Sequence, residues 1–568
     1  MMIQPSRARR IVPVLAAAFF ILGLLGTSAC SRRQTATDSS RDDQTLLLGN
    51  GAEPGDLDPH LATAFTEFNI ILALGEGLTA IDESSGLPVP ATAASWDVSA
   101  DGLRYTFHLR PDAKWSNGDT VTAADFVFSF ERILRPALAS EYAYMLFPIR
   151  GAESFNAGTA TDFASVGVTA PDPRTLIVEL NSPTPYLLGL AAHQAWFPVH
   201  PPTVLKHGRI DQRGTAWTRP ENHMGNGAYR LATWVPNDRI EVVRHPHHYS
   251  VYASGYDPAA SIQRVLFFPT DNIPADESAY RAGQSHVTYD LLPDRIATYR
   301  AQSPSPLRID PLLETLYLRF NVTRPPLDDV RVRRALALAL DREAIATSVL
   351  QGSRVPAYHF TPPGTGGYTA TARQAHDPAA ARALLAEAGF PGGKNFPRLE
   401  VLMNTDAINS RVLEAVQAMW KRELGIDVAL VAQDFRVYLD AMKGLRYDIA
   451  RARWIGDYSD PNTYLDMFLT GGGNNQTGWS SPAYDALIAE AARTPSPEAR
   501  FALFQQAESL LLADAPVAPV VFGARVHLVH PDVQNWLGSL LGVRRYQTLR
   551  IGTPGANGGI NAKSTTRP

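Results

Sequence analysis

The chain has one cysteine in 568 residues, Cys30. A single thiol closes no internal disulfide, so the fold is held without covalent staples. The local patterns that hold reacting groups are missing too. No G-x-S-x-G, HExxH, Walker A or C-x-x-C occurs. Gly225-Asn226-Gly227 lacks the third glycine of a dinucleotide loop and precedes a strand-like stretch. The formal net charge of -4 gives no basic footprint for nucleic acid. Beyond the N-terminus no apolar run is long enough to cross a bilayer. His245, His247 and His248 lie close together, but Pro246 and the lack of a partnering cysteine argue against a metal site. They read as surface or turn histidines. These absences favour a binder over an enzyme, with no metal and no cofactor.

The N-terminus does carry a signal. Arg7, Arg9 and Arg10 precede an apolar run over 11–25, and Gly26-Thr27-Ser28-Ala29 are small. This has the form of a secretory signal over 1–29. Its removal takes three arginines and no acid, leaving a net charge near -7. Cys30 directly after it resembles the acceptor of a bacterial lipoprotein, although Thr27 stands where leucine is commonest. The expected location is the periplasm, with the chain anchored to the membrane by lipid alone. Residues 30–45 read as the lipidated cysteine and a flexible tether, and 553–568 as a disordered tail.

The length suggests two or three domains. Buried strands are expected at 45–49 and 316–321, and a helix over 65–78. Clean alternation at 104–110 puts Tyr105, Phe107 and Leu109 on one face. Thr122 caps a helix to about Leu134, with Asp125 as its capping-box partner. Residues 229–235 and 239–244 read as paired strands joined by Pro236-Asn237-Asp238. The clearest unit runs from 377 to 431: a helix begun by Asp377-Pro378 and stopped by Gly389, a strand at 399–403, a helix at 411–424 ended by Gly425, and a strand at 426–431. That order favours a parallel pair. A long helix at 498–512 precedes a strand at 517–522.

Residues 446–461, RYDIARARWIGDYSDP, combine these signals with charge. Alternation up to Trp454, then Gly456 and Asp460-Pro461, reads as a strand running into a loop. An aspartate held there meets a cation such as a free amino terminus by a charge-assisted hydrogen bond. A solvated loop with chance charges is the other reading of these residues alone.

Phrases along nearly the whole mature chain resemble the extracytoplasmic solute-binding proteins of family 5, the peptide and nickel binding subunits of ABC importers, and within it the oligopeptide-binding branch. They are Leu57-Asp58-Pro59-His60; Lys114-Trp115-Ser116-Asn117-Gly118 with 121–127; Asn226-Gly227-Ala228-Tyr229; Asp329-Val330-Arg331-Val332-Arg333; Leu340-Asp341-Arg342; Pro356-Ala357-Tyr358 with Thr361-Pro362-Pro363; ALLAEAG at 383–389; and 447–461. The resemblance implies an α/β protein of the periplasmic-binding-protein type II-like class, with two α/β lobes joined by a hinge and an extra α+β domain. Lobe I would comprise 46–76 with 201–313 and 524–552, the extra domain 77–200, and lobe II 314–523.

The same resemblance implies a monomer that binds a peptide and delivers it to ABC permease and ATPase subunits on separate chains. It places the partner of the peptide amino terminus at Asp457, a neighbouring arginine at Arg451 and a tryptophan at Trp454. A cleft tyrosine falls at Tyr142 and a histidine of the extra domain at His193. Other positions depart. The family's first-lobe glutamate falls at Thr63 and its hinge glutamate at Arg319. The basic residues that receive peptide carboxyl termini fall at Leu350, Asn409 and Met442, with Lys443 adjacent. Arg319 is the candidate source of the missing positive charge. A nickel chelate, haem or cell-wall peptide is the alternative ligand; an exported peptidase or a sensor is a more distant reading.

Overall fold

The computed structural model describes Met1 and residues 34–252, 257 and 261–552. The signal segment, Cys30 and the 553–568 tail therefore lie outside the described residues. Three sheets organise the rest. The first has the order Thr45–Gly49, Arg264–Phe268, Arg239–Arg244, Tyr229–Val235. Its first pair is parallel and the others antiparallel. Leu46, Leu48, Ile70, Tyr229, Val242 and Phe267 form its core.

The second sheet has six strands: Val355–Pro356, Val517–Leu528, Leu307–Phe320, Ile449–Ile455, Leu399–Asn404 and Val428–Gln433. The last two run parallel, as their strand-helix-strand order predicts. The helix between them, Ala407–Leu424, ends at Gly425, whose φ of 71° is the left-handed turn that favours glycine. A third, antiparallel sheet, Ala93–Val98, Arg104–Leu109, Thr175–Glu179, Val168–Asp172, packs with helix Ala123–Leu134 around Phe107, Phe126, Phe130 and Trp196. Asp125 accepts from the Thr122 backbone N–H at 2.9 Å, half of the expected capping box.

Two long strands connect the first and second sheets. Leu307–Phe320 and Val517–Leu528 pair antiparallel from Leu307↔Leu528 to Arg319↔Val517, with register breaks between Pro311 and Thr315 and between Leu316 and Tyr317. Val529, just past the pair, bridges Val287, which bridges Leu48 of the first sheet. The expected strand at 316–321 is thus only the buried half of a longer one, whose first half alternates over just Leu307-Arg308-Ile309-Asp310 before Pro311 interrupts the pattern. A buried joint ties the first sheet's loops to the third sheet's helix. Arg132 donates to both Asp58 oxygens, at 3.0 and 2.5 Å, and reaches His60 Nδ1 at 2.8 Å. All three are fully enclosed, so none could lose its partner without leaving a buried charge exposed to no solvent.

Three expectations are corrected. Residues 35–45 are not a free tether. Thr35 caps a short helix, Ala36–Ser39, the Thr37 N–H donates to Gly283 O at 3.0 Å, and Arg41 pairs with Asp532. Distant partners order a segment whose own composition is polar. His245 and His248 lie at a turn, one of the two expected settings, but are buried there and not on the surface. His248 bonds Ser250 Oγ at 2.7 Å and lies 3.7 Å from Glu76. Among the described residues no cluster of three or more His, Cys, Asp or Glu could hold a metal. The helix expected over 65–78 stops at Leu74. Beyond it the chain passes so close to its neighbours that a Cβ on Gly77 would lie 2.2 Å from the Ala191 carbonyl oxygen.

Among the described residues no helix is long and apolar enough to cross a membrane.

Candidate functional site

The strand Ile449–Ile455 lies between Leu307–Phe320, antiparallel to it, and Leu399–Asn404, parallel to it. Alternation sends Ile449, Arg451 and Arg453 to one face and Ala450, Ala452 and Trp454 to the other. The strand leaves the sheet at Gly456, whose N–H donates to Leu313 O at 2.8 Å. A Cβ there would come within 2.6 Å of the Tyr464 hydroxyl, so only glycine permits this exit. The loop that follows is fastened at three points. The Asp457 N–H donates to Thr463 Oγ1 at 3.2 Å and the Asn462 N–H to Asp460 Oδ1 at 2.9 Å. Arg500, from helix Pro497–Asp514, grips both Asp460 oxygens at 2.5 and 2.7 Å.

Asp457 is presented at the end of that loop. Its Oδ2 accepts one long bond, 3.4 Å, from the Tyr144 hydroxyl of a segment far away in sequence. Tyr144 stacks on Tyr142 at 6.0 Å, Tyr142 lies 4.9 Å from His193, and His193 stacks on Phe68 at 6.1 Å. So Asp457, Tyr142 and His193 belong to one cluster. Among the described residues no lysine, arginine or histidine pairs with Asp457. Burial pushes its carboxyl up to about 7, against the opposing bonds from Tyr144 and Thr463. Burial also holds His193 neutral, with its pKa lowered to about 4. The arrangement is a carboxyl group with a raised pKa and no cationic partner among the described residues, beside aromatic rings.

The arginines form separate groups. Arg451 is buried; one Nη donates to Asn404 Oδ1 at 3.4 Å, and its Nε has no partner. Asn409, in the first turn of its helix, donates to the same Asn404 oxygen at 3.4 Å. Arg319 is buried too. It donates to the Tyr317 hydroxyl from Nε at 3.1 Å and Nη2 at 2.8 Å, to Gln476 from Nη1, and lies 3.8 Å from Met442 Sδ. Trp454 packs half-buried against the cluster containing Tyr317, Phe360 and Phe468, its indole N–H unpaired. A long ion pair, Lys443 to Glu141 at 4.0 Å, joins the Met442 segment to the neighbour of Tyr142. Thr63 is exposed and Leu350 buried, and neither brings charge to these groups.

Sequence reasoning missed Tyr144, Gln476, Tyr438 and Arg500. Tyr438 donates its hydroxyl to the Arg451 carbonyl. Only Tyr144 left a trace, as the second ring of a Tyr-x-Tyr repeat beside Tyr142. The others are reached across 13 or more residues of chain, and no local pattern marks them.

The profile of the bacterial extracellular solute-binding proteins, family 5 (middle), matches residues 88–476. The chain is 36% identical to the periplasmic oligopeptide-binding protein OppA of Salmonella typhimurium, over 92% of this chain and 95% of that one. Its fold is similar to the murein tripeptide binding protein MppA of Escherichia coli, with a TM-score of 0.80, 33% identity, and 89% and 98% of the two chains covered. Against the unliganded open form of MppA the TM-score is 0.71. Against Haemophilus influenzae OppA in complex with the peptide RPPGFSPFR it is 0.78, at 34% identity over 90% of this chain and 99% of that one.

Proposed function

The chain belongs to the bacterial extracellular solute-binding proteins of family 5, and from that premise we propose that it captures short peptides outside the cytoplasm and delivers them to an ABC importer. It performs no chemistry; the permease and ATPases are separate chains. The observation that carries this reading is Asp457, a half-buried acid that no cation among the described residues pairs with, facing a wall of tyrosines. A peptide ammonium would supply the missing partner by a charge-assisted bond. The unpaired Trp454 N–H is a further donor, and an extended peptide backbone is its natural acceptor; the unpaired Arg451 N–H, on the other strand face, would serve from the strand's end. We assign Tyr142, His193 and Asn409 to the walls of the same cleft. The cleft would lie between lobe I (46–76, 201–313, 524–552) and lobe II (314–523), with 77–200 contributing one wall. The paired long strands would be the hinge. Three polar side-chain contacts across the seam are long, Arg411 to Asp294 at 3.5 Å, Lys443 to Glu141 at 4.0 Å and Tyr144 to Asp457 at 3.4 Å, while Tyr186 stacks on Tyr458 across it at 4.8 Å. A ligand bridging both lobes would therefore decide the closed state. We take the protein to be a monomer anchored through acylated Cys30.

A cell-wall peptide is the second reading, favoured by the match to the murein tripeptide binder. Mass spectrometry of small molecules released by denaturing the purified protein separates the readings. A ladder of short peptides is the expected result. A single murein peptide would favour the second reading, and a non-peptide species, or metal without peptide, would overturn both.

Binding is expected to depend on pH. Below about pH 7 the empty Asp457 carries a proton, which an incoming ammonium must expel. Affinity should therefore rise by up to about tenfold per pH unit between pH 5 and 7, then fall as the peptide amine loses its own proton near about 8. Calorimetry in buffers of different ionisation heat should record proton release at pH 6. For the empty protein the sign is opposite. A carboxyl raised above its unfolded value of about 3.9 stabilises the fold fully below that value, and this stability is lost as pH climbs toward 7. An affinity flat from pH 5 to 7 would contradict an ionisable clamp.

A further inference from the structure

Arg319 is a buried cation on the long strand Leu307–Phe320, only 5% exposed. Among the described residues no carboxylate lies within ion-pair distance of it. Its electrostatic neighbours are the hydroxyls of Tyr317, Tyr447 and Tyr438. A guanidinium has five N–H donors. Tyr317 takes two, Gln476 one, and a fourth meets only the Met442 thioether at 3.8 Å, a weak acceptor. One Nη2 donor and the Nη1 donor on sulfur are thus open to something better. Burying a charge without a counter-charge costs several kcal/mol by general estimates, about the worth of the partner that would relieve it.

Position supports a ligand as that partner. Arg319 pairs with Ala450, Tyr317 with Ala452 and Thr315 with Trp454, so alternation puts Arg319 and Trp454 on one face of the sheet. Met442, which touches Arg319, precedes Lys443, whose ion pair to Glu141 closes the seam beside Tyr142 and Asp457. Arg319 thus shares a sheet face with Trp454, three residues before the carboxylate clamp, and carries the opposite charge.

We propose that Arg319 is a specificity-determining residue that receives a carboxylate of the bound peptide, so that this protein selects peptides carrying an acid at a fixed distance from the amino end. The inference rests on the peptide reading above. Tyr317 and Gln476 hold the guanidinium in place and the carboxylate completes its bonding.

The test uses tetra-alanine peptides with Glu or Gln at one interior position, each with a free or an amidated carboxyl end, titrated into the full mature protein and into Arg319→Gln. The expected result is a preference of about tenfold or more for one carboxylate. A Glu-over-Gln preference identifies a side-chain acid, and a free-over-amidated preference identifies the carboxyl terminus. In Arg319→Gln that ratio should fall to near one, whatever the absolute affinity, and Arg319→Lys should restore part of it. Wild-type protein indifferent to every carboxylate would overturn the proposal with no variant needed. So would Arg319→Gln that melts earlier and binds all peptides more weakly with the ratio intact; Arg319 would then only fasten Tyr317 and Gln476. Either result, with peptides still bound, leaves the peptide reading standing. Failure of every peptide to bind would end both.

Discussion

Asp457→Ala is expected to weaken binding of an amine-terminated peptide by about a hundredfold or more, and to leave the already weak binding of the same peptide, N-acetylated, nearly unchanged. The reason lies in the surroundings of the carboxylate. Tyr144 donates to it at 3.4 Å, a bond too long to carry much energy, and Thr463 is its other side-chain partner. The ammonium would therefore be the group's principal partner. Truncating one member of a buried, hydrogen-bonded charge pair costs about 2–5 kcal/mol, because the other member is left buried and unpaired. Acetylation removes the charge from the opposite side. The two changes should not add, and a double cycle of variant against acetylation should give a coupling in the same range. Tyr144→Phe, which removes only the long bond, should cost about 1 kcal/mol or less. The fold should tolerate the alanine, since the backbone N–H of residue 457 still donates to Thr463 Oγ1. Isothermal titration of the four combinations decides the matter. Strictly additive losses would mean that the amine sits elsewhere.

The strand and loop that carry Asp457 are legible in the sequence because their local chemistry is dense. Residues 449–455 alternate between small buried alanines and arginines, which marks a strand by itself, and Gly456 with Asp460-Pro461 marks where the strand must end. The helix stops at Gly389 and Gly425 and the parallel pair whose strands follow them are also local facts. What escaped is long-range. Residues 35–43 are polar, and nothing within them reveals that Gly283 and Asp532 are waiting as partners. His245 and His248 sit in a turn, as expected, but the turn folds inward against Glu76 and Tyr249 bonds the same carboxylate at 2.7 Å. Alternation suggested one face for Arg451 and Arg453, yet it could not say that Arg451 is buried without an acid while Arg453 is half out and 3.9 Å from Glu314. The resemblance supplied the roles of Asp457 and Trp454. Their electrostatic state, a raised carboxyl and an unpaired indole, came only with the packing.

The loop that carries Asp457 depends on a second charge, and breaking it should be costly in stability as well as affinity. Arg500 is 3% exposed. Besides gripping Asp460 with two parallel bonds, it donates from Nε to Ala491 O at 3.2 Å and lies over the Phe504 ring at 4.8 Å and the Tyr186 ring at 5.5 Å. Tyr186 in turn stacks on Tyr458, the residue next to Asp457, at 4.8 Å with planes 5° apart. One guanidinium therefore ties two helices, the site loop and an aromatic wall together. Arg500→Ala removes the charge and strands Asp460 in a buried place, a change that costs about 3–5 kcal/mol. Arg500→Met with Asp460→Asn removes both charges at nearly constant volume, so the double variant should be clearly more stable than Arg500→Met alone. Thermal and urea unfolding measure that difference. Peptide affinity separates stability from positioning: if the grip on Asp460 also aims Asp457, the double variant should fold and still bind amine-terminated peptides more weakly, while N-acetylated ones change little. A double variant that folds and binds as the wild type would show that the turn from Gly456 to Thr463 holds the clamp without its arginine.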